Sequence, residues 1–137
     1  MTKILRLQKP VIAGIQGTAT AAGCQLVASC DLAIASENAT FATPGVNIGL
    51  FCSTPMVALS RNVNKKHAME MLLTGDMIGA EKAKEIGLIN NYFPEPELTN
   101  KTILLANKIA SKSSMTVAMG KNAFYGQSDL DLSLIHI

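Results

Sequence analysis

Apolar and polar positions fall in blocks of different period along these 137 residues, and the first blocks read as strand, helix and strand. Val11-Ile12-Ala13-Gly14-Ile15 is a short apolar run that predicts a buried strand, and Gly17 to Ala22 predicts a turn of small residues. A helix is expected over roughly Gly23 to Ser29 with Leu26 and Val27 toward the core, then a second buried strand over Asp31 to Ala35. Strand, helix, strand predicts a parallel crossover and an α/β fold.

Further along, Ser36 to Ala39 is turn chemistry, Thr40-Phe41-Ala42 a short extended piece, and Pro44-Gly45 a break before a short strand over Val46 to Gly49. Ser53 or Thr54 is expected to cap a helix that turns Met56, Leu59 and Val63 inward, and Asn64 to cap the next. That second helix has a wide apolar face, Ala68, Met69, Met71, Leu72 and Leu73, closed by Gly75. Ile78 is a short extended contact, Gly79 to Glu85 a charged helix ended by Gly87, and Leu88-Ile89 an edge element. Pro94-Glu95-Pro96 is the best boundary, dividing a core over 1–93 from a helical segment over 94–137. In that segment Leu98, Ile103, Leu104 and Ile109 mark one helix, and Ser113 or Ser114 caps another carrying Val117, Met119 and Phe124. Residues 1–9 read as the last turns of an amphipathic helix, and the alternation over 129–137 is that of a strand.

Composition narrows the function classes. Apolar residues at 48% against 16% charged describe a globular chain with a core of its own. A net charge of +2, on lysines scattered without aromatic stacking partners, argues against a nucleic-acid partner. No apolar run is long enough to cross a bilayer, so no membrane partner is expected. Cys24, Cys30 and Cys52 are odd in number and lack metal-ligand spacing, which fits small buried thiols in a reducing compartment and implies no metal or redox cofactor. His67 lies in a basic first turn and reads as solvated, while Asp31, at the start of a strand, reads as a structural acid.

The sharpest chemical feature is the small-residue stretch leading into the first internal helix. The first N–H groups of a helix have no internal acceptor and sit at its positive dipole end, so the turn at Ala22 and Gly23 suits a carbonyl oxygen or an anion. Tight packing of the helix on the preceding strand explains the same small residues.

Lys9-Pro10-Val11-Ile12-Ala13, Gly17, Gly23-Cys24-Gln25-Leu26 and Cys30-Asp31 resemble the crotonase superfamily, the enoyl-CoA hydratases and isomerases. Phe41-Ala42-Thr43-Pro44, Ile48-Gly49, Leu73-Thr74-Gly75, Ala80, Ala83 and Gly87-Leu88 extend the likeness in the same order over nearly the whole chain, as the second half of a subunit about twice as long. The resemblance implies a spiral of β-β-α units, a helical carboxy-terminal assembly segment, homo-oligomers (trimers or dimers of trimers), an acyl-CoA thioester as ligand and, from the wording of residues 19–31 and 41–55, a mitochondrial branch. CoA then enters as part of the substrate, and no separate cofactor is implied.

It also implies that the Ala22 N–H, with Gly23 beside it, is one of two backbone donors to the thioester oxygen. Ala replaces the family's glycine there, which is compatible with the role if its φ stays negative. The second donor comes from a segment with no counterpart in these residues, so a complete site is not expected here. The two glutamates that hydratases use as base and acid fall on Gln25 and Gly45. An amide holds water by hydrogen bonds but has no proton equilibrium near neutral pH, and glycine has no side chain. The expectation is an enoyl-CoA hydratase/isomerase-like protein without the acid–base pair. A non-catalytic acyl-CoA binder and a structural or regulatory subunit of such an oligomer are the alternatives.

Overall fold

A computed structural model of the chain describes residues 1–128 and residue 130. After a short helix α1 (Thr2–Arg6), strands β1 (Ile12–Ile15) and β2 (Thr18–Thr20) run into helix α2 (Ala22–Ser29). Strands β3 (Leu32–Ser36) and β4 (Thr40–Ala42) repeat the pair, and each lies parallel to its predecessor, Ile12 opposite Leu32 and Thr18 opposite Thr40. The chain thus winds through two small sheets, adding one strand to each per turn. Helices α3 (Ser53–Asn62) and α4 (Lys65–Thr74) follow, then β5 (Ile78–Gly79), α5 (Ala80–Glu85) and β6 (Asn91–Phe93). β5 closes the second sheet antiparallel to β4, and β6 joins β3 in the all-parallel first sheet.

β3 is buried along nearly its whole length, as its continuous apolar run requires of a strand covered on both faces. Phe41, Leu59 and Leu72 are the largest fully buried side chains, and small residues such as Ala35, Ala39 and Ala83 let the backbones close around them. Helix α6 (Leu98–Ala110) packs on β1 and β3, and α7 (Ser114–Ser128) follows. Asp31 has the structural role expected of it: one carboxylate oxygen accepts the Val11 N–H at 2.7 Å and pins the entry to β1 beside β3.

Several elements differ from the sequence expectation. The turn over Gly17 to Ala22 contains β2, because the β-branched Thr18 and Thr20 find a ladder partner in β4, with the Thr18 and Thr40 hydroxyls 3.0 Å apart. Val46 to Gly49 is not a strand. Pro44 opens a 3-10 turn over Pro44–Ile48 whose backbone bonds locally, Gly49 N–H to Val46 at 3.2 Å and Leu50 N–H to Gly45 at 2.9 Å. The edge strand begins at Asn91 rather than Leu88. Both Leu88 and Ile89 N–H groups bond the Ala83 carbonyl, which wraps them, buried, around the end of α5.

Met56 is at the surface, and the apolar face of α4 is narrower than its sequence suggests, with Met69 and Leu73 exposed beside buried Ala68, Met71 and Leu72. Leu26, Ile103, Leu104, Met119 and Phe124 are likewise exposed. Helix α3 starts at Ser53 itself with no side-chain cap, and Asn64 occupies the cap position of α4 with its carbonyl accepting the Ala68 N–H at 2.9 Å but with no side-chain cap bond. Ser113 does cap α7, accepting the Thr116 N–H at 3.2 Å. The strand expected over 129–137 falls outside the described residues, Leu130 excepted.

Candidate active site

The turn between β2 and α2 is held at the end of the second sheet. Ala21 donates its N–H to the Ala42 carbonyl at 3.0 Å, which ties the start of α2 to the end of β4. Ala21 adopts φ 49° and ψ −114°, the one positive φ outside glycine among the described residues. Such a conformation costs an L residue of order 1–3 kcal/mol and persists only where its surroundings fix it. Ala22 keeps a negative φ, the condition for alanine at that position.

Helical bonding begins with the Gln25 N–H, which reaches Ala21 at 2.9 Å. The N–H groups of Ala22, Gly23 and Cys24 precede it and have no intrahelical acceptor. No acidic residue in the first turn of α2 neutralises its positive end. A β-carbon on Gly23 would meet the Ala19 methyl at 3.8 Å, an ordinary contact. Packing on β2 therefore does not demand glycine at position 23, which removes part of the case for a purely structural stretch.

Gln25 is one turn further along the same helix, half-buried, and borders a cavity of about 630 Å³ between α1, α2, α3 and α7. Its carbonyl accepts the Ser29 hydroxyl at 2.8 Å. Gly45 follows Thr43 and Pro44, which continue from the Ala42 carbonyl bonded to Ala21, and it is not among the residues that line that cavity. A β-carbon on Gly45 would lie 2.8 Å from the Leu50 carbonyl oxygen and 3.0 Å from the Cys52 sulfur. The backbone is therefore folded over the side from which a residue at 45 would project.

Two residues of this region carry no sequence signal. Ala21 looks like any other small residue although it bears the strained backbone. Thr43 is fully buried, and its hydroxyl has no hydrogen-bond partner among the described residues. The Cys24 thiol, on the first turn of α2, is pushed up to about 11 by burial and secondarily by the charge of Cys52, so it stays protonated at neutral pH. Glu37 is exposed and His67 half-buried, and neither hydrogen-bonds through its side chain within the described residues. Among those residues no cluster of three or more His, Cys, Asp or Glu is placed to hold a metal, and no helix is long and apolar enough to cross a membrane.

The chain matches the enoyl-CoA hydratase/isomerase family model over residues 1–135. It belongs to that family. Enoyl-CoA hydratase domain-containing protein 3, mitochondrial, of Rattus norvegicus is 56% identical over 124 residues, 90% of this chain and 41% of the relative. The mitochondrial enoyl-CoA hydratase of Pongo abelii is 39% identical over 131 residues, 95% of this chain and 45% of its own length. The chain thus spans less than half the length of these relatives. An enoyl-CoA hydratase structure from Mycobacterium smegmatis superposes with a TM-score of 0.94 at 52% identity, covering 96% of this chain and 51% of that one. The human domain-containing protein 3 structure gives 0.93 at 55%, covering 96% and 52%. The fold is accordingly the crotonase α/β spiral.

Proposed function

We propose that this chain, as an enoyl-CoA hydratase/isomerase-like protein of fatty-acyl-CoA metabolism, carries the thioester-binding part of an acyl-CoA site. Ala22 N–H, with Gly23 N–H beside it, donates to the thioester oxygen, and Gln25 holds a water or the acyl portion by hydrogen bonds. The observation that carries the reading is the unbonded first turn of α2, fixed by the Ala21 to Ala42 hydrogen bond at 3.0 Å. Donors held at a helix start polarise a carbonyl without reorganising.

Hydration requires a base for water and an acid for the α-carbon. An amide at 25 and a closed backbone at 45 favour binding over hydratase turnover, so the non-catalytic acyl-CoA binder is the form of this proposal that the Gly45 geometry supports. CoA is bound as part of the ligand, with no additional cofactor. By likeness to relatives named mitochondrial we place the protein in the mitochondrion. The helical segment from residue 94 we take as the assembly segment of a homo-oligomer, with 1–93 as the core that binds the ligand.

Ligand-observed NMR with crotonyl-CoA, using free CoA as control, tests the reading. The crotonyl protons should report association with the unaltered chain and lose it in Ala21→Gly/Ala22→Pro, which deletes the Ala22 N–H where a helix tolerates proline. Equal signals in both chains remove Ala22 from the site. Hydration of crotonyl-CoA above solvent background by the unaltered chain shows that an acid–base group exists elsewhere and overturns the binder form.

A further inference from the structure

Helix α7 contains no buried residue, and Met115, Met119 and Phe124 on it are largely exposed. Within the chain its apolar contacts are confined to partly covered residues such as Val117 and Ala118. A polar knot fastens it. The Lys121 ammonium donates to Asp31 Oδ2 at 2.8 Å, to the Ile4 carbonyl at 2.9 Å and to the Lys9 carbonyl at 3.0 Å, using all three of its protons. The Tyr125 hydroxyl donates to Asp31 Oδ1 at 2.5 Å. The Lys121 and Asp31 side chains are 7% and 13% exposed, so the pair is shielded from water, and Asp31 also holds the Val11 N–H.

The same helix supplies Phe124, Tyr125 and Ser128 to the cavity that Gln25 borders from α2 and Val57 from α3. Asp31 and Lys121 do not line that space themselves, and the knot reaches it through Tyr125. We infer that Asp31, Lys121 and Tyr125 are positioning residues that hold α7 as a hinged wall of the Gln25 cavity, so that a buried polar latch sets the room left for a ligand. Release of the latch exposes only the partly covered residues of α7, Val117 and Ala118 among them, because none of its residues is fully buried, and it frees the wall without unfolding the sheets. On the proposed function above, the wall meets the acyl group, and the latch limits the chain length accepted.

Hydrogen exchange on the full chain decides whether the latch is local. In Tyr125→Phe and Lys121→Met, amides of 114–128 should exchange about tenfold faster or more, with those of α2 and β3 unchanged. No change over 114–128, or an equal rise in β3, overturns the latch. Tyr125→Phe removes a single hydroxyl and keeps the test available where the charge variant fails to fold. A second arm compares octanoyl-CoA with hexadecanoyl-CoA by ligand-observed NMR. A preference for the shorter acyl chain that narrows in Tyr125→Phe supports the wall, and a preference that stays the same overturns its role in the cavity. If neither acyl-CoA associates with the unaltered chain, the thioester reading fails while the exchange result still decides the latch.

Discussion

The Gly45 N–H points at the Cys52 sulfur, 3.4 Å away, on the side where a side chain at position 45 would have to grow. The Leu50 carbonyl oxygen closes the same space at 2.8 Å, and being backbone it cannot swing aside. Gly45→Ala should therefore destabilise the protein by about 1–3 kcal/mol, the usual cost of overpacking a well-filled site. Thermal unfolding checks this, and a variant that melts with the parent would show that the loop yields. On the proposed function, in which the hydratase carboxylates fall at 25 and 45, Gly45→Glu does not place its side chain without moving the backbone, whereas Gln25→Glu, on the half-buried face of α2, does.

Ala21 offers the opposite change. Its φ of 49° is natural to glycine and strained for alanine. Ala21→Gly should raise stability by about 1 kcal/mol despite the greater freedom that glycine gives the unfolded chain. A lowered denaturation midpoint would mean that the methyl makes contacts worth more than the strain.

Much of the fold was legible because strong local signals agreed with it. The apolar run of β3, the left-handed Gly75 and Gly87 and the Ser113 cap all lie where the sequence placed them. The parallel pairing of β1 with β3 and the extended Thr40–Ala42 were legible, but the second sheet was not, because β2 is three residues long and exists through its pairing with β4. No property of Thr18-Ala19-Thr20 alone separates a short strand from a turn. Position 91 illustrates the same limit: Asn90 pairs with Ala33 through its side-chain oxygen and its own N–H, both at 2.8 Å, and so shifts the strand two residues beyond the apolar Leu88-Ile89. Of the candidate site, Ala22, Gly23 and Gln25 were legible as the start of a helix. The strain on Ala21 accompanies a hydrogen bond to the distant Ala42, and the closure around Gly45 comes from a local loop that returns Leu50 and Cys52 to it, neither of which residue types alone encode.

Thr43 places a hydroxyl where, among the described residues, nothing receives it. An unpaired buried hydroxyl forfeits its hydration, so the isosteric Thr43→Val should be neutral or stabilising by up to about 1 kcal/mol. Chemical denaturation measures the difference. A loss above about 1 kcal/mol would reveal a partner for the hydroxyl, such as a bound water linking β4 to the start of α2.

Cys24 should make stability fall at alkaline pH. In the unfolded chain its thiol ionises near 9.0, whereas in the fold burial, helped by the Cys52 charge, holds it to about 11. As pH climbs past 9 the unfolded chain loses this proton first, so stability drops between about 9 and 11 and levels above. A shift of this size corresponds to about 3 kcal/mol at most. Tyr125 is also pushed up, by burial and by its bond to Asp31, and adds its own decline from about pH 10 upward. Cys24→Ala separates the two, because it removes the thiol and leaves Tyr125 in place. Urea unfolding of both chains between about pH 8 and 11 should give a shallower decline for the variant. Parallel curves would show that the Cys24 thiol ionises as readily inside the fold as outside it.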